Sequence, residues 1–166
     1  TGMGSSHTIS VNTTSGHAFL NGSNQFWGRV NMVSLADPMN PTFLTGYGWQ
    51  DSFEYVHDAQ ALRYSGPDTR YTNKDLLITS NGDKGIAVLD VTNGNISKIA
   101  SPKTFPGIGY AHQGWLTEDQ RYFLANDEFD EGGNPFTRTH IWDMVDLTNP
   151  TYLGYYQHTT KATDHN

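Results

Sequence analysis

The chain has 166 residues, a formal net charge of −7 and no cysteine; aromatic residues make up 13% of it and charged residues only 16%, with 17 Gly and 7 Pro. Its ten Lys and Arg are scattered and form no basic stripe to neutralise a phosphate backbone, which argues against a nucleic-acid partner, and the missing cysteines exclude disulfides and thiolate chemistry. No apolar run reaches the roughly 18 residues that a membrane-spanning helix needs, and abundant aromatics, Gly and Pro with little charge predict many short strands joined by tight turns.

At the N-terminus, Met3-Gly4-Ser5-Ser6-His7 resembles the start of an expression tag, but the residues after His7 fall straight into a repeat. Four histidines, His7, His57, His112 and His165, recur at intervals of 50, 55 and 53 residues. A period near fifty with no helical rhythm inside it belongs to propeller blades of four short strands.

The first unit opens at His7 and reaches Leu20-Asn21-Gly22, then carries a third apolar stretch over residues 30–35. Breakers over residues 37–41 stop it, because proline lacks a ladder donor, and Thr42-Phe43-Leu44 begins a fourth strand. The second unit opens at His57 and reaches Ser80-Asn81-Gly82 after an insertion over residues 66–74, whose Gly, Pro, Asp and Asn content predicts an extended surface loop. Its third strand covers residues 86–91, Asn93-Gly94-Asn95 ends it, and residues 96–100 fill the fourth slot. The third unit opens at His112, passes Ala125-Asn126-Asp127 and residues 141–147, breaks at Asn149-Pro150 and resumes with Thr151-Tyr152-Leu153.

The expectation is therefore an all-β chain, a β-propeller of about three four-stranded antiparallel blades from a larger ring of six to eight. Residues 1–166 are read as part of one propeller domain, with units at about 7–56, 57–111 and 112–164, and 165–166 starting a further blade. The remaining blades of the same propeller are the first partner this implies.

Several blocks resemble the choice-of-anchor B family of LVIVD-type propeller repeats. They include Val56-His57-Asp58-Ala59-Gln60, Tyr64-Ser65-Gly66-Pro67-Asp68, Ile86-Ala87-Val88-Leu89-Asp90-Val91, and above all Gly109-Tyr110-Ala111-His112-Gln113-Gly114-Trp115-Leu116 running on to Asp127-Glu128-Phe129-Asp130-Glu131. The resemblance implies an extracellular or cell-surface propeller and names no activity. The sequons at Asn12, Asn21 and Asn95 add a weak pointer to export and glycosylation.

Two constellations carry chemistry. If His7, His57, His112 and His165 lie on the inner strands of successive blades, their imidazoles converge on the axis and suit a transition metal such as Zn, Cu or Fe, with Thr8, Asp58, Gln113 and Asn166 placed to support them. The same repetition also fits a structural polar position that ties blades together, or a metal-free ligand site. His17, His140 and His158 fall outside the register. Second, Asp127, Glu128, Asp130 and Glu131 ahead of Gly132-Gly133-Asn134 form a dense set of hard oxygen ligands that suits Ca²⁺, a solvated turn, or support for the histidines.

Trp49, Phe53, Tyr55, Tyr110, Trp115, Tyr152, Tyr155 and Tyr156 read as packing between blades, with carbohydrate stacking as the alternative. Phosphate loops, nucleophile elbows and zincin helices are absent from the sequence. Two functions remain: a surface module that binds a protein or glycan through loops such as 66–74, or a metal-binding propeller, in the extreme a metalloenzyme.

Overall fold

The structure is a computed structural model that describes residues 4–47, 55–129, 136–159 and 161–162. Twelve strands are arranged as three four-stranded sheets, each built from four consecutive strands hydrogen-bonded in chain order. The first sheet holds β1 (Thr8–Asn12), β2 (His17–Asn21), β3 (Asn31–Ser34) and β4 (Thr42–Gly46). The second holds β5 (Asp58–Arg63), β6 (Asp75–Ser80), β7 (Ile86–Asp90) and β8 (Ser97–Lys103). The third holds β9 (Ala111–Leu116), β10 (Tyr122–Asp127), β11 (Arg138–Asp143) and β12 (Thr151–Gln157). Every pairing within the sheets is antiparallel, so each sheet is a propeller blade in the form of a meander.

Burial explains the strand sequences. β10 alternates, with Phe123, Ala125 and Asp127 buried and their neighbours less so, the period-2 signature of one covered face. β6 is buried at all six positions because its blade is sandwiched between the other two, so Leu76 and Ile78 face one neighbour while Leu77 faces the other. Between the first two blades lie Phe19, Met32, Val56, Leu77 and Leu89. Between the second and third lie Ile78, Val88, Phe105, Phe123, Trp142 and Met144. Each such side chain, fully withdrawn from water, contributes roughly 1.5–3 kcal/mol, so the blade junctions are the core of the fold.

Turns are held by side chains that cap the strand ends. Asn12 Oδ1 accepts from the amides of Thr14 and Ser15 to close the β1–β2 turn, and Asp37, Asp90 and Asp143 each accept from the amide two residues on to start the β3–β4, β7–β8 and β11–β12 connections. All three outer pairings carry a register shift, between Met32 and Val33, between Ile86 and Leu89, and between Ile141 and Trp142. The bulges increase twist as each blade runs outward.

The inner strands lie side by side, β1 along β5 and β5 along β9. His7 N and His57 N donate to the carbonyls of Asn21 and Ser80, each at 2.8 Å, so the two residues occupy the same post in successive blades. That equivalence corrects one detail of the repeat: Asp58 faces Ser80 as Thr8 faces Asn21, so Ser80 and not Asn81 matches Asn21. The insertion hid a one-residue slip, which moves a side chain to the opposite face.

The loop over residues 66–74 is at the surface, with Pro67, Thr69, Arg70, Thr72 and Asn73 exposed, and it is also a clamp. Tyr64 is fully buried beneath it, and its hydroxyl accepts from the Asp68 amide. Buried Asp68 receives two hydrogen bonds from the Arg70 guanidinium and one from the Leu147 amide of the third blade, while Arg70 reaches Asp146 as well.

Candidate metal centre

Where β5 and β9 begin, the axial histidines come together. The His7 and His57 ring centroids are 4.1 Å apart and those of His57 and His112 are 4.2 Å apart, a ladder of three imidazoles from three blades. His57 and His112 are buried and His7, at the end of the ladder, is exposed. His165 lies outside the described residues.

His112 owes its position to a bulge. Gln113 faces Asn126 and Ala111 faces Asp127, so His112 is the extra residue on β9 and its side chain is re-aimed relative to a regular strand. The turn after β10 supplies a carboxylate: Glu128 Oε2 lies 3.9 Å from His112 Nε2. His57, His112 and Glu128 each offer a ligand atom, and these atoms lie within 4.8 Å of one another. A tetrahedral ion with bonds near 2.0–2.1 Å sets its ligands roughly 3.4 Å apart, so small side-chain rotations close the set.

One imidazole of the set, His57, is held with a nitrogen free for a metal. His57 Nδ1 lies 2.9 Å from the His112 carbonyl oxygen, which can only accept, so Nδ1 carries the proton and Nε2 keeps the lone pair that a metal needs. Burial, the largest cause, holds the His57 pKa below its ordinary value, and the neighbouring His112 and His7 push the same way. His57 is therefore neutral at neutral pH.

The acidic set divides. Asp127, fully buried, accepts from Gly109 N and Tyr110 N at 2.6 Å each and from Phe129 N at 3.0 Å. Its carboxylate is a staple for the segment leading into β9, so Asp127 and Glu128 do not act as one pair of calcium ligands. Asp130 and Glu131 lie outside the described residues. The small group that could hold a metal thus takes Glu128 from the acidic loop and two members from the histidine ring.

The three other histidines stand elsewhere. His140 on β11 is buried, stacks on Phe105 at 4.0 Å and shares a 3.0 Å hydrogen bond with the Tyr152 hydroxyl. Desolvation pushes its pKa down to about 4. His158 bonds Thr139, and His17 pairs with Asn12 and Ser34 across the first sheet.

Two tyrosines, which the sequence offers as inter-blade packing or carbohydrate stacking, stand beside the ladder. Tyr110 meets His57 edge-on at 5.3 Å, and Tyr55 lies 6.2 Å from both His7 and His57. Each precedes its histidine by two residues, a repeat within the repeat that was visible in Tyr55-Val56-His57 and Tyr110-Ala111-His112.

No family model matches the chain, and no curated protein matches it. Solved structures do, 19 chains in all. One is a protein from Lactobacillus plantarum solved by the Northeast Structural Genomics Consortium, 16% identical, with a TM-score of 0.59 over 89% of this chain and 41% of that one. This likeness shows the fold alone, and the chain spans less than half the length of that protein.

Proposed function

We propose that the chain is a segment of a metal-binding β-propeller in which His57, His112 and Glu128 hold a divalent transition ion. The observation that carries this reading is the meeting of their three ligand atoms within 4.8 Å, drawn from two blades and assembled by a bulge at His112. Two imidazoles and one carboxylate suit Zn, and next Fe or Cu; calcium, which takes six to eight oxygens, is poorly served by one carboxylate. Three protein ligands leave room for a water or substrate on the ion, so metal-assisted hydrolysis is within reach of the same set.

Elemental analysis of the purified protein tests it. About one equivalent of a transition metal is expected, lost in His57→Ala combined with His112→Ala; wild-type protein that takes up no metal after loading with zinc sinks the proposal.

The same reading includes export and membership of the choice-of-anchor B family, supported by the Tyr110 to Leu116 block and the exposed sequon at Asn95; Asn12 and Asn21 are buried with their side-chain amides bonded to Asp75 and to Thr8 and Ser10, so their sequons lend it nothing. It also includes further blades of the ring. Ser10 and Asn12 of β1 bond to the second blade, so Ile9 and Val11 point the other way and are 61% and 45% exposed, and Trp115 on the far face of β9 is 65% exposed. Adjoining blades would cover both faces.

A second reading, a surface module that binds a glycan or protein, is favoured by Tyr155 and Tyr156 on the outer strand β12, 50% and 60% exposed, with the Arg138 guanidinium 4.8 Å from the Tyr155 ring. Retention of the metal-free double variant on a glycan-bearing cell surface, and its loss in Tyr155→Ser with Tyr156→Ser, would favour this over the metal centre.

A further inference from the structure

The sequence holds three Asn-Gly pairs, Asn21-Gly22, Asn81-Gly82 and Asn93-Gly94, and the fold treats the third unlike the other two. In such a pair an asparagine is open to attack by its own backbone, because glycine has no Cβ to shield the peptide nitrogen that follows the side-chain amide.

Asn21 and Asn81 are locked. Both are buried, at 0% and 1% exposure. The Asn21 side-chain amide donates to the hydroxyls of Thr8 and Ser10 at 3.1 and 2.9 Å, and the Asn81 side-chain oxygen accepts from the Thr79 hydroxyl at 2.6 Å. Their glycines are roofed by aromatic side chains: a Cβ built on Gly22 would lie 2.5 Å from the Tyr55 hydroxyl oxygen, and one on Gly82 would lie 2.8 Å from the Tyr110 ring. Neither pair leaves room for the side chain to swing over the next peptide bond and close a ring.

Asn93 has none of these restraints. It is exposed in the tight turn over Thr92–Gly94 that joins β7 to β8, and its side-chain amide has no hydrogen-bond partner among the described residues. Chain neighbours apart, a Cβ on Gly94 would meet only Leu44 Cδ1, at an ordinary 3.6 Å. The Asn93 backbone is left-handed, with φ 57° and ψ 34°, a conformation asparagine tolerates but does not prefer. The turn is anchored by Thr92 and not by Asn93: Asp90 Oδ1 accepts from the Thr92 amide at 2.9 Å, and the Thr92 hydroxyl accepts from the Asp75 amide at 3.1 Å. The Asn93 side chain can therefore react while the sheet stays in place.

We infer that Asn93 is a site of spontaneous covalent modification, in which the Gly94 peptide nitrogen attacks the Asn93 side-chain amide. The nitrogen gives up its proton to solvent and bonds to Cγ; the bond from Cγ to the amide nitrogen breaks, ammonia leaves, and a five-membered imide closes. Water then opens the imide at one of its two carbonyls, leaving either aspartate or an isoaspartate whose chain runs on through the side-chain carboxyl. Water enters, ammonia departs, and nothing is oxidised or reduced. Either product adds a negative charge to the turn, and isoaspartate also lengthens the backbone by a methylene, which releases position 93 from its left-handed conformation. The reaction is independent of the centre at His57, His112 and Glu128.

Folded protein kept for days at mildly alkaline pH, then digested after Lys84 and Lys98 and weighed by mass spectrometry, tests this. The peptide over residues 85–98 is expected to gain the mass difference between an amide and an acid, located at Asn93 by fragmentation, and in heavy-oxygen water to retain a solvent oxygen. Peptides carrying Asn21 and Asn81 should react at least about tenfold more slowly, because each must wait for local opening. Protein held unfolded in urea should lose that difference. Asn93 staying intact in the folded chain while it reacts in urea overturns the inference; so does Asn21 or Asn81 reacting as fast as Asn93 in the folded chain, or a difference among the three that persists in urea.

Discussion

His57 donates from Nδ1 to the backbone carbonyl oxygen of His112, one blade away, at 2.9 Å. The bond ties the second blade to the third at the bulge and fixes the tautomer of a buried imidazole whose rings above and below belong to its neighbours. In the first blade the same tie is made by another residue: the Thr8 hydroxyl donates to the His57 carbonyl at 3.1 Å. The ladder is therefore a structural seam as well as part of the proposed metal site, and for His57 the two roles share one protonation state.

That state sets the response to acid. His57 and His140 both have folded pKa values below the ordinary 6.5 because burial disfavours the cation, His140 to about 4. As pH falls below 6.5 the unfolded chain takes up protons that the folded chain refuses, so stability declines until the folded pKa is reached. For His140 alone the loss amounts to about 3 kcal/mol by pH 4. Urea midpoints measured from pH 7 to pH 4 should fall, and in His140→Gln the fall should be shallower; a flat wild-type profile over that window contradicts the assignment.

The architecture was legible in the sequence because each blade opens its inner strand at the same post, so that His7, His57 and His112 repeat what the fold repeats. What was hidden depended on which face a side chain takes. Asp127 and Glu128 are neighbours and looked like one acidic cluster, yet the end of β10 sends Asp127 inward to three amides and Glu128 to the histidines. Residue type cannot tell these apart, since strand alternation assigns opposite faces to adjacent positions. The His112 bulge was illegible for the same reason, because an extra residue on one strand shows only against its partner. The clamp at residues 66–74 was missed because Gly, Pro, Asp and Asn are chosen for turns whether or not the turn docks, and docking depends on Asp68 finding Leu147, 79 residues away.

Asp127 gives a prediction about that division of labour. A fully buried carboxylate holding three backbone amides keeps its fit only while charged, since the neutral amide of Asp127→Asn offers one acceptor oxygen and brings two donors. The variant should lose about 2 kcal/mol in urea denaturation. Because Tyr110 and Glu128 hang on the same turn, its zinc affinity, measured by competition with a chelator, should fall as well; a stability loss with unchanged zinc affinity would separate the staple from the site.

The blade clamp should be strongly asymmetric. Asp68 is buried and its loss strands the Leu147 amide, so Asp68→Ala should destabilise by about 2–3 kcal/mol. Asp146, on the exposed side of Arg70, is held at a pKa of about 2 by Thr148 and Arg70, but water and salt screen that pair. Asp146→Ala should leave the thermal midpoint close to wild type. Comparable losses in the two variants would show that the clamp works through Arg70's charge and not through the buried carboxylate.

Gly85 is where the tight turn between β6 and β7 allows no other residue. Its φ is +85°, and a Cβ there would lie 1.9 Å from the Lys103 carbonyl oxygen, against backbone that cannot swing aside as a side chain does. The Gly85 carbonyl accepts from Asn81 N and its amide donates to Gly82 O, so any shift to relieve the clash pulls on the loop that also bonds Ala111, the residue before His112. Left-handed backbone alone costs an alanine about 1–2 kcal/mol, and the contact adds to it. Gly85→Ala should therefore be more destabilising than Gly16→Ala, whose φ is +69° but whose Cβ would meet nothing within 4 Å. Parallel urea melts of the two variants check the order; equal losses would mean that the backbone conformation, and not the approach of β8, decides the cost.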